Sequence, residues 1–102
     1  MVPLAPFHYS ERHLVRIRRE HNLGIQEARR RVDLVAEELG SKLNLTGQWE
    51  GDHMRVKGRG VSGKILVSDS SVEIRVHLGL AMMMLRETIR SAIEGSIDDY
   101  IT

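Results

Sequence analysis

Apolar and polar residues alternate from His13 to Arg19, with Val15 and Ile17 on one face and Leu14, Arg16 and Arg18 on the other. A period of two is that of a half-buried strand. Continuing it brings Arg19 and His21 into line with Val15 and Ile17, so two polar side chains point to the core side at the strand's end. Either they cap carbonyls or pair with an acid at the rim of the core, since buried polar groups find partners, or they form the polar end of a small pocket. Asn22-Leu23-Gly24 breaks the strand. The period then lengthens: Ile25, Ala28, Val32, Val35, Ala36, Leu39 and Leu43 make one stripe of a helix lying on a sheet. Asn22 or Gly24 can serve as its N-cap. With Gly24 as cap, Glu27 falls near the positive end of the helix dipole. Arg29, Arg30 and Arg31 fall mostly on the solvent side, and Gly40 and Asn44 mark the exit.

From Leu45 to Gly79 the pattern is that of a four-strand meander. Leu45, Gly47 and Trp49 share a face, and Glu50-Gly51-Asp52 is a tight turn. Met54 and Val56 point inward on the next strand, until Gly58-Arg59-Gly60 turns the chain. Val61, Gly63, Ile65 and Val67 share the inner face of the strand after it, where Gly63 leaves room for a helix to approach closely. After Ser68-Asp69-Ser70-Ser71, the last strand points Val72, Ile74, Val76 and Leu78 inward and Glu73, Arg75 and His77 outward. The pattern then predicts one helix from Leu80 to about Ile101, with a stripe of Leu85, Ile89, Ala92, Ile93, Ile97, Tyr100 and Ile101. Its first turn, Leu80-Ala81-Met82-Met83-Met84-Leu85, is apolar on every side. Either it packs deeply with a little exposed Met, or it is an adaptable contact patch for a partner chain or an apolar surface.

Strand, helix, four strands, helix is an α+β order. Alternating directions give a five-stranded antiparallel sheet of order 2-3-4-5-1 with both helices on one face, a small version of a helix-grip arrangement. The other face carries Arg16, Arg18, Arg55, Lys57, Lys64, Glu73 and Arg75 and is on balance basic. The chain's 102 residues suffice for one domain with one core. Residues 13–102 are read as that domain, and residues 1–12, with Pro3 and Pro6 and no periodicity, as a flexible extension that Phe7 and Tyr9 could anchor.

Composition narrows the chemistry. There is no cysteine, which excludes disulfides, thiolate metal sites and a Cys nucleophile. No signal peptide and no apolar run of membrane-spanning length is read, so a cytoplasmic location is expected. The net charge of +1 is unevenly spread: residues 12–31 hold seven Arg against two Glu, and residues 69–102 hold three Arg against six acids. The two regions are either solvated faces that attract each other or, at the Arg cluster, a polyanion site. The five histidines, His8, His13, His21, His53 and His77, lack close ligand spacing, so no metal is expected. No nucleophile elbow, phosphate loop or dinucleotide fingerprint is present; Ser62 lies between glycines but in a strand pattern. The expectation is a protein that is not an enzyme and carries no cofactor.

Ile17-x-Arg19-x-His21-x-Leu23-Gly24 followed by Ala28-Arg29 resembles the opening of the bacterial polyhydroxyalkanoic acid system proteins, the polyhydroxyalkanoate granule-region family. Trp49-Glu50-Gly51-Asp52, Gly60-Val61-x-Gly63-x-Ile65 and Leu78-Gly79-Leu80 resemble its later motifs. The family tends to have an aromatic where this chain has Val56, and a break after Leu-Gly-Phe-Leu where this chain has the Met run. The resemblance implies a link to polyhydroxyalkanoate synthesis or storage but defines no biochemical activity; the partner is a granule or a synthesis-system protein, or the link is only one between genes.

Three functions follow as expectations. The first is a non-enzymatic accessory protein, granule-associated, contacting a granule or partner through Leu80, Met82, Met83 and Met84, a patch that also allows a homodimer. The second is a binding module for a hydroxyacyl or lipid-like ligand between sheet and last helix, with Arg19, His21 and Trp49 as pocket residues. The third, nucleic-acid binding, is the least expected, because the acidic last helix and four aromatics give little for a stacking platform.

Overall fold

The computed structural model describes residues 13–101. The expected N-terminal extension, with Phe7, Tyr9 and His8, lies outside the described residues. The described chain forms β1 (Leu14–Glu20), α1 (Gly24–Leu43), β2 (Thr46–Glu50), β3 (His53–Gly58), β4 (Val61–Val67), β5 (Ser71–Leu78), a 3-10 segment (Leu80–Leu85) and α2 (Arg86–Tyr100). The five strands make one antiparallel sheet of order β1-β5-β4-β3-β2. This is the expected α+β architecture, with the first strand closing against the fifth.

Short connections fix the sheet. Gly51-Asp52 and Arg59-Gly60 are two-residue hairpin links, with Gly51 at φ 65° and Gly60 at φ 71°, left-handed conformations that glycine adopts without a Cβ clash. The β4–β5 link is held by Ser68, whose Oγ accepts the N–H of Ser71 at 3.0 Å. These links set the register, and register sends alternate side chains to opposite faces. Val15, Ile17, Met54, Val56, Val61, Ile65, Val67, Val72, Ile74, Val76 and Leu78 are all buried on the helix side. Ala28, Val32, Val35 and Leu39 of α1 and Ile89, Ile93 and Ile97 of α2 complete one continuous core. Arg16, Arg18, Arg55, Lys57, Ser62, Lys64 and His77 are exposed on the other face, which no described element covers.

Gly24 has φ 77°, outside the helical range, so it acts as the hinge between β1 and α1. Asn44 ends α1 in the left-handed conformation (φ 58°, ψ 43°). Gly40 lies inside the helix, where a Cβ would approach the backbone carbonyl oxygen of Leu45 to 2.8 Å as the chain doubles back. The two helices are tied by Ser96, wholly buried in α2, whose hydroxyl donates to Glu38 at 2.9 Å.

Two local expectations are corrected. A Cβ on Gly63 would collide with the backbone carbonyl of Arg75, so the close approach there comes from the neighbouring strand and not from a helix. The last helix does not begin at Leu80. The Leu78 N–H donates to the His13 carbonyl at 2.7 Å and the Gly79 N–H to the Gly60 carbonyl at 2.8 Å, so the chain is tethered as it leaves β5. The residues that follow, Leu80–Leu85, form a 3-10 segment, and α-helical geometry starts only at Arg86. Leu85, assigned to the buried stripe by periodicity, is 47% exposed as a result.

Candidate functional site

The Leu80–Leu85 segment contains no buried residue. Leu80 is 78% exposed, Met84 93% and Leu85 47%, and these are the exposed large hydrophobics among the described residues. Met82 and Met83 are half-buried against the core, and Met82 lies over Gly60, where a Cβ would come within 2.7 Å of its Cγ. The four contact residues expected from sequence therefore divide. Leu80 and Met84 face outward, while Met82 and Met83 anchor the segment; Leu85 joins the outward pair. The signal that could have found this division is the Leu78-Gly79 exit from the sheet, which places the first turn beyond the reach of the helix stripe.

Arg19 and His21 lie where the strand period puts them, at the end of β1 on the core side, but their environments differ. Arg19 reaches α2, donating through Nε to Asp98 at 2.9 Å. His21 is 6% exposed. Its Nδ1 accepts the Leu23 N–H at 3.1 Å, while its Nε2 has no hydrogen-bond partner among the described residues. A recess of about 290 Å3 beside it is lined by Glu20, His21, Asn22 and Ser70. Trp49 stands on the opposite edge strand, where its indole N–H donates to Asp33 at 2.8 Å and the Arg29 guanidinium stacks 4.1 Å from its ring. The fold does not bring Trp49 together with Arg19 and His21. Between the sheet and the helices, the void lined by Ala36, Leu39, Val56, Ile65, Ile74 and Ile93 measures about 10 Å3, room for at most one water.

The arginine cluster is engaged within the molecule. Arg29 donates to the Gly51 carbonyl at 2.7 Å and to Asp52 at 3.0 Å. Arg30 and Arg31 both bind Glu27, at 2.7 and 2.9 Å, and Arg31 also donates to the Tyr100 carbonyl at the end of α2. The Arg30 hydrogen bond, then that of Arg31, lowers the Glu27 carboxyl from 4.5 to about 2. Much of the basic segment thus serves to hold α1, α2 and the β2–β3 hairpin together.

The strongest unabsorbed charge lies on the open face of the sheet. Register places Gln48, Arg55, Lys64, Arg75 and Arg16 in one row across all five strands. Like charges directly opposite on paired strands repel. Glu73, with a side chain only 13% exposed, relieves one end by accepting from Arg16 at 2.5 Å and Arg75 at 2.7 Å. Its carboxyl is held below the ordinary range first by Arg75 and then by Arg16. Glu50 takes Arg55 at 3.1 Å. Lys64, in the middle, and Lys57, two residues along β3 from Arg55, have no carboxylate within 4.0 Å among the described residues. A recess of about 580 Å3 runs over this row, lined by Arg55, Lys57, Lys64 and Arg75 with His53, His77 and Ser62. Sequence reading found the basic face but not the row, because the row depends on register.

Among the described residues, no three His, Asp or Glu side chains gather as a metal site, and no helix is long and apolar enough to cross a membrane. No curated protein and no solved structure matches the chain. A family model described as "Putative polyhydroxyalkanoic acid system protein" matches residues 15–101, from β1 through the end of α2. With nearly the whole described domain inside that match, the chain belongs to the polyhydroxyalkanoic acid system protein family.

Proposed function

We propose that this protein is a non-enzymatic accessory protein of the polyhydroxyalkanoic acid system that docks on the granule surface through the Leu80–Leu85 segment. The observation that carries the reading is that the exposed large apolar side chains among the described residues, Leu80, Met84 and Leu85, all lie on one short segment. Apolar area left in water is costly, and a contiguous exposed patch marks a contact site. Methionine suits an irregular polyester surface, because its unbranched, polarizable side chain adapts its shape. Half-buried Met82 and Met83 seat the segment against the core, so Leu80, Met84 and Leu85 are left facing outward. On this reading the protein works in the cytoplasm, at granules. A hydroxyacyl or lipid ligand between sheet and α2 finds no support in an interior void of about 10 Å3.

The test is co-sedimentation of the purified protein with isolated polyhydroxyalkanoate granules. Wild type should pellet with granules and stay bound at high salt, because apolar contact is not screened. Leu80→Glu combined with Met84→Glu should keep the circular dichroism spectrum and abolish pelleting. Unchanged pelleting of the double variant would refute the docking reading. Absence of pelleting by wild type, with a dimer mass in light scattering, would make the patch a self-association surface.

A further inference from the structure

The open face of the sheet carries a charge arrangement that docking does not use. Arg55, Lys64 and Arg75 are direct cross-strand neighbours on β3, β4 and β5, and Arg16 extends the row on β1. With neighbouring strands about 4.8 Å apart, four cations stand within about 14 Å. Folding brings them together against their mutual repulsion. The carboxylates that answer them stand to the sides: Glu73 serves Arg16 and Arg75, and Glu50 serves Arg55. No carboxylate lines the recess above the row. Lys64 on β4, the middle strand under the recess, and Lys57 on β3 have no ion-pair partner among the described residues, and the Ser62 hydroxyl and exposed His77 line the recess beside them.

We infer that this recess binds a small anion bearing several phosphates, held by Lys64 on β4 and Lys57 on β3, with Arg55 and Arg75 on either side of Lys64. Two unanswered lysines beside two arginines around one cavity call for a ligand with several charges of its own. Phosphate groups supply that charge together with acceptor oxygens for the lysine and arginine donors and for Ser62. The size fits a compact ligand, since about 580 Å3 lies within the range of small-molecule sites. A nucleic acid fits less well. No Phe, Tyr or Trp lines the recess as a platform for base stacking, and Glu50 and Glu73 interrupt the positive charge on both sides, so no long track is offered to a backbone. The recognised chemistry is a phosphate chain, free or carried by a nucleotide. The inference stands apart from granule docking, which uses other residues.

Isothermal titration calorimetry on the full chain tests it, with inorganic tripolyphosphate, ATP and a thymidine oligonucleotide as probes at low salt. Tripolyphosphate should bind with a stoichiometry of about one, as a single small-molecule site requires. Lys64→Gln and Lys57→Gln should each weaken it about tenfold or more, as the loss of a charge-assisted contact implies. Lys42→Gln, on α1 and paired with Glu38, should leave it unchanged. Equal affinity for ATP identifies the phosphate chain as the whole determinant; tighter ATP binding that is still lost in Lys64→Gln identifies a nucleotide. No tripolyphosphate binding, or equal weakening by Lys42→Gln, overturns the inference. So does an oligonucleotide that binds more tightly than tripolyphosphate with affinity rising with its length, which would make the face a nucleic-acid surface. Thermal unfolding of each variant separates loss of the site from loss of the fold, and with two independent lysines one misfolded variant leaves the other decisive.

Discussion

Lys64 stands between Arg55 and Arg75 on the neighbouring strands, with no carboxylate to answer it among the described residues. A cross-strand pair of like charges costs what a pair of opposite charges contributes, on the order of a few tenths of a kcal/mol to ~1 kcal/mol. Lys64→Thr removes two such oppositions and puts a β-branched residue on an exposed strand position. It should raise stability by about 0.5–1 kcal/mol, measured as a higher urea midpoint at unchanged slope. An unchanged or lower midpoint would mean that the row carries no internal strain. Glu27 presents the reverse case, a carboxylate lowered from 4.5 to about 2 first by Arg30 and then by Arg31. A depressed carboxyl stabilises the fold above its unfolded pKa, and that contribution is lost as pH falls through the folded value. The advantage of wild type over Glu27→Gln should therefore be full at pH 6 and shrink between pH 4.5 and about 2. The group is solvent-facing and its pairs are screened by salt, so the difference should be small and largest at low ionic strength. Urea titrations of both proteins at pH 6 and pH 2 check it. A gap that persists at pH 2 would show that Glu27 acts by packing and not by charge.

At the scale of elements, glycine separates two kinds of position. Gly95 is in α2, exposed, with nothing within 4 Å of an added Cβ. Gly95→Ala should therefore stabilise by roughly 0.5–1 kcal/mol through lower chain entropy, seen as a higher melting temperature. Gly63 is the opposite case, because a Cβ there meets the backbone carbonyl of Arg75 on β5. Backbone cannot rotate aside as a side chain can, so Gly63→Ala should disrupt the β4–β5 pairing and lower the melting temperature markedly; an unaffected melting temperature would show that the strand pair can spread without cost. Both glycines look alike in sequence. The strands, both helices and the strand order were legible because they follow from hydrophobic period, turn residues and alternating direction. What was not legible depends on tertiary placement. Ser96 is polar but sits among the stripe positions of α2, seven residues after Ile89 and three after Ile93, and only the placement of α1 supplies the Glu38 carboxylate that its buried hydroxyl needs. Leu85 is apolar and at the right spacing, yet it is exposed because the chain there is still in the 3-10 segment and α2 begins only at Arg86. The row from Arg55 to Arg16 joins residues far apart in sequence, and a slip of one residue in either hairpin would dissolve it.

For the molecule as a whole, stability is distributed unevenly. β4 and β5 are each paired on both sides, and their inward residues, Ile65, Val72, Ile74 and Val76, are almost wholly buried. The Leu80–Leu85 segment has no buried residue and is held by short-range bonds such as the Met82 N–H to the Gly79 carbonyl at 2.9 Å. Segments with little buried apolar area open with free energies well below that of global unfolding. Amide hydrogen exchange should therefore divide the molecule. Amides of β4 and β5 should exchange only through global unfolding, with rates that rise with urea as the overall stability falls. Amides of residues 80–85 should exchange orders of magnitude faster and with little dependence on low urea, since local opening exposes little new surface. Polyhydroxyalkanoate granules should slow exchange in residues 80–85 before they affect β5, because a bound apolar surface stabilises the closed segment by mass action. Protection of residues 80–85 equal to that of β5 in the free protein would show that the segment belongs to the rigid core. Its exposed Leu80 and Met84 would then meet any partner as a preformed face, and granules would leave its exchange unchanged.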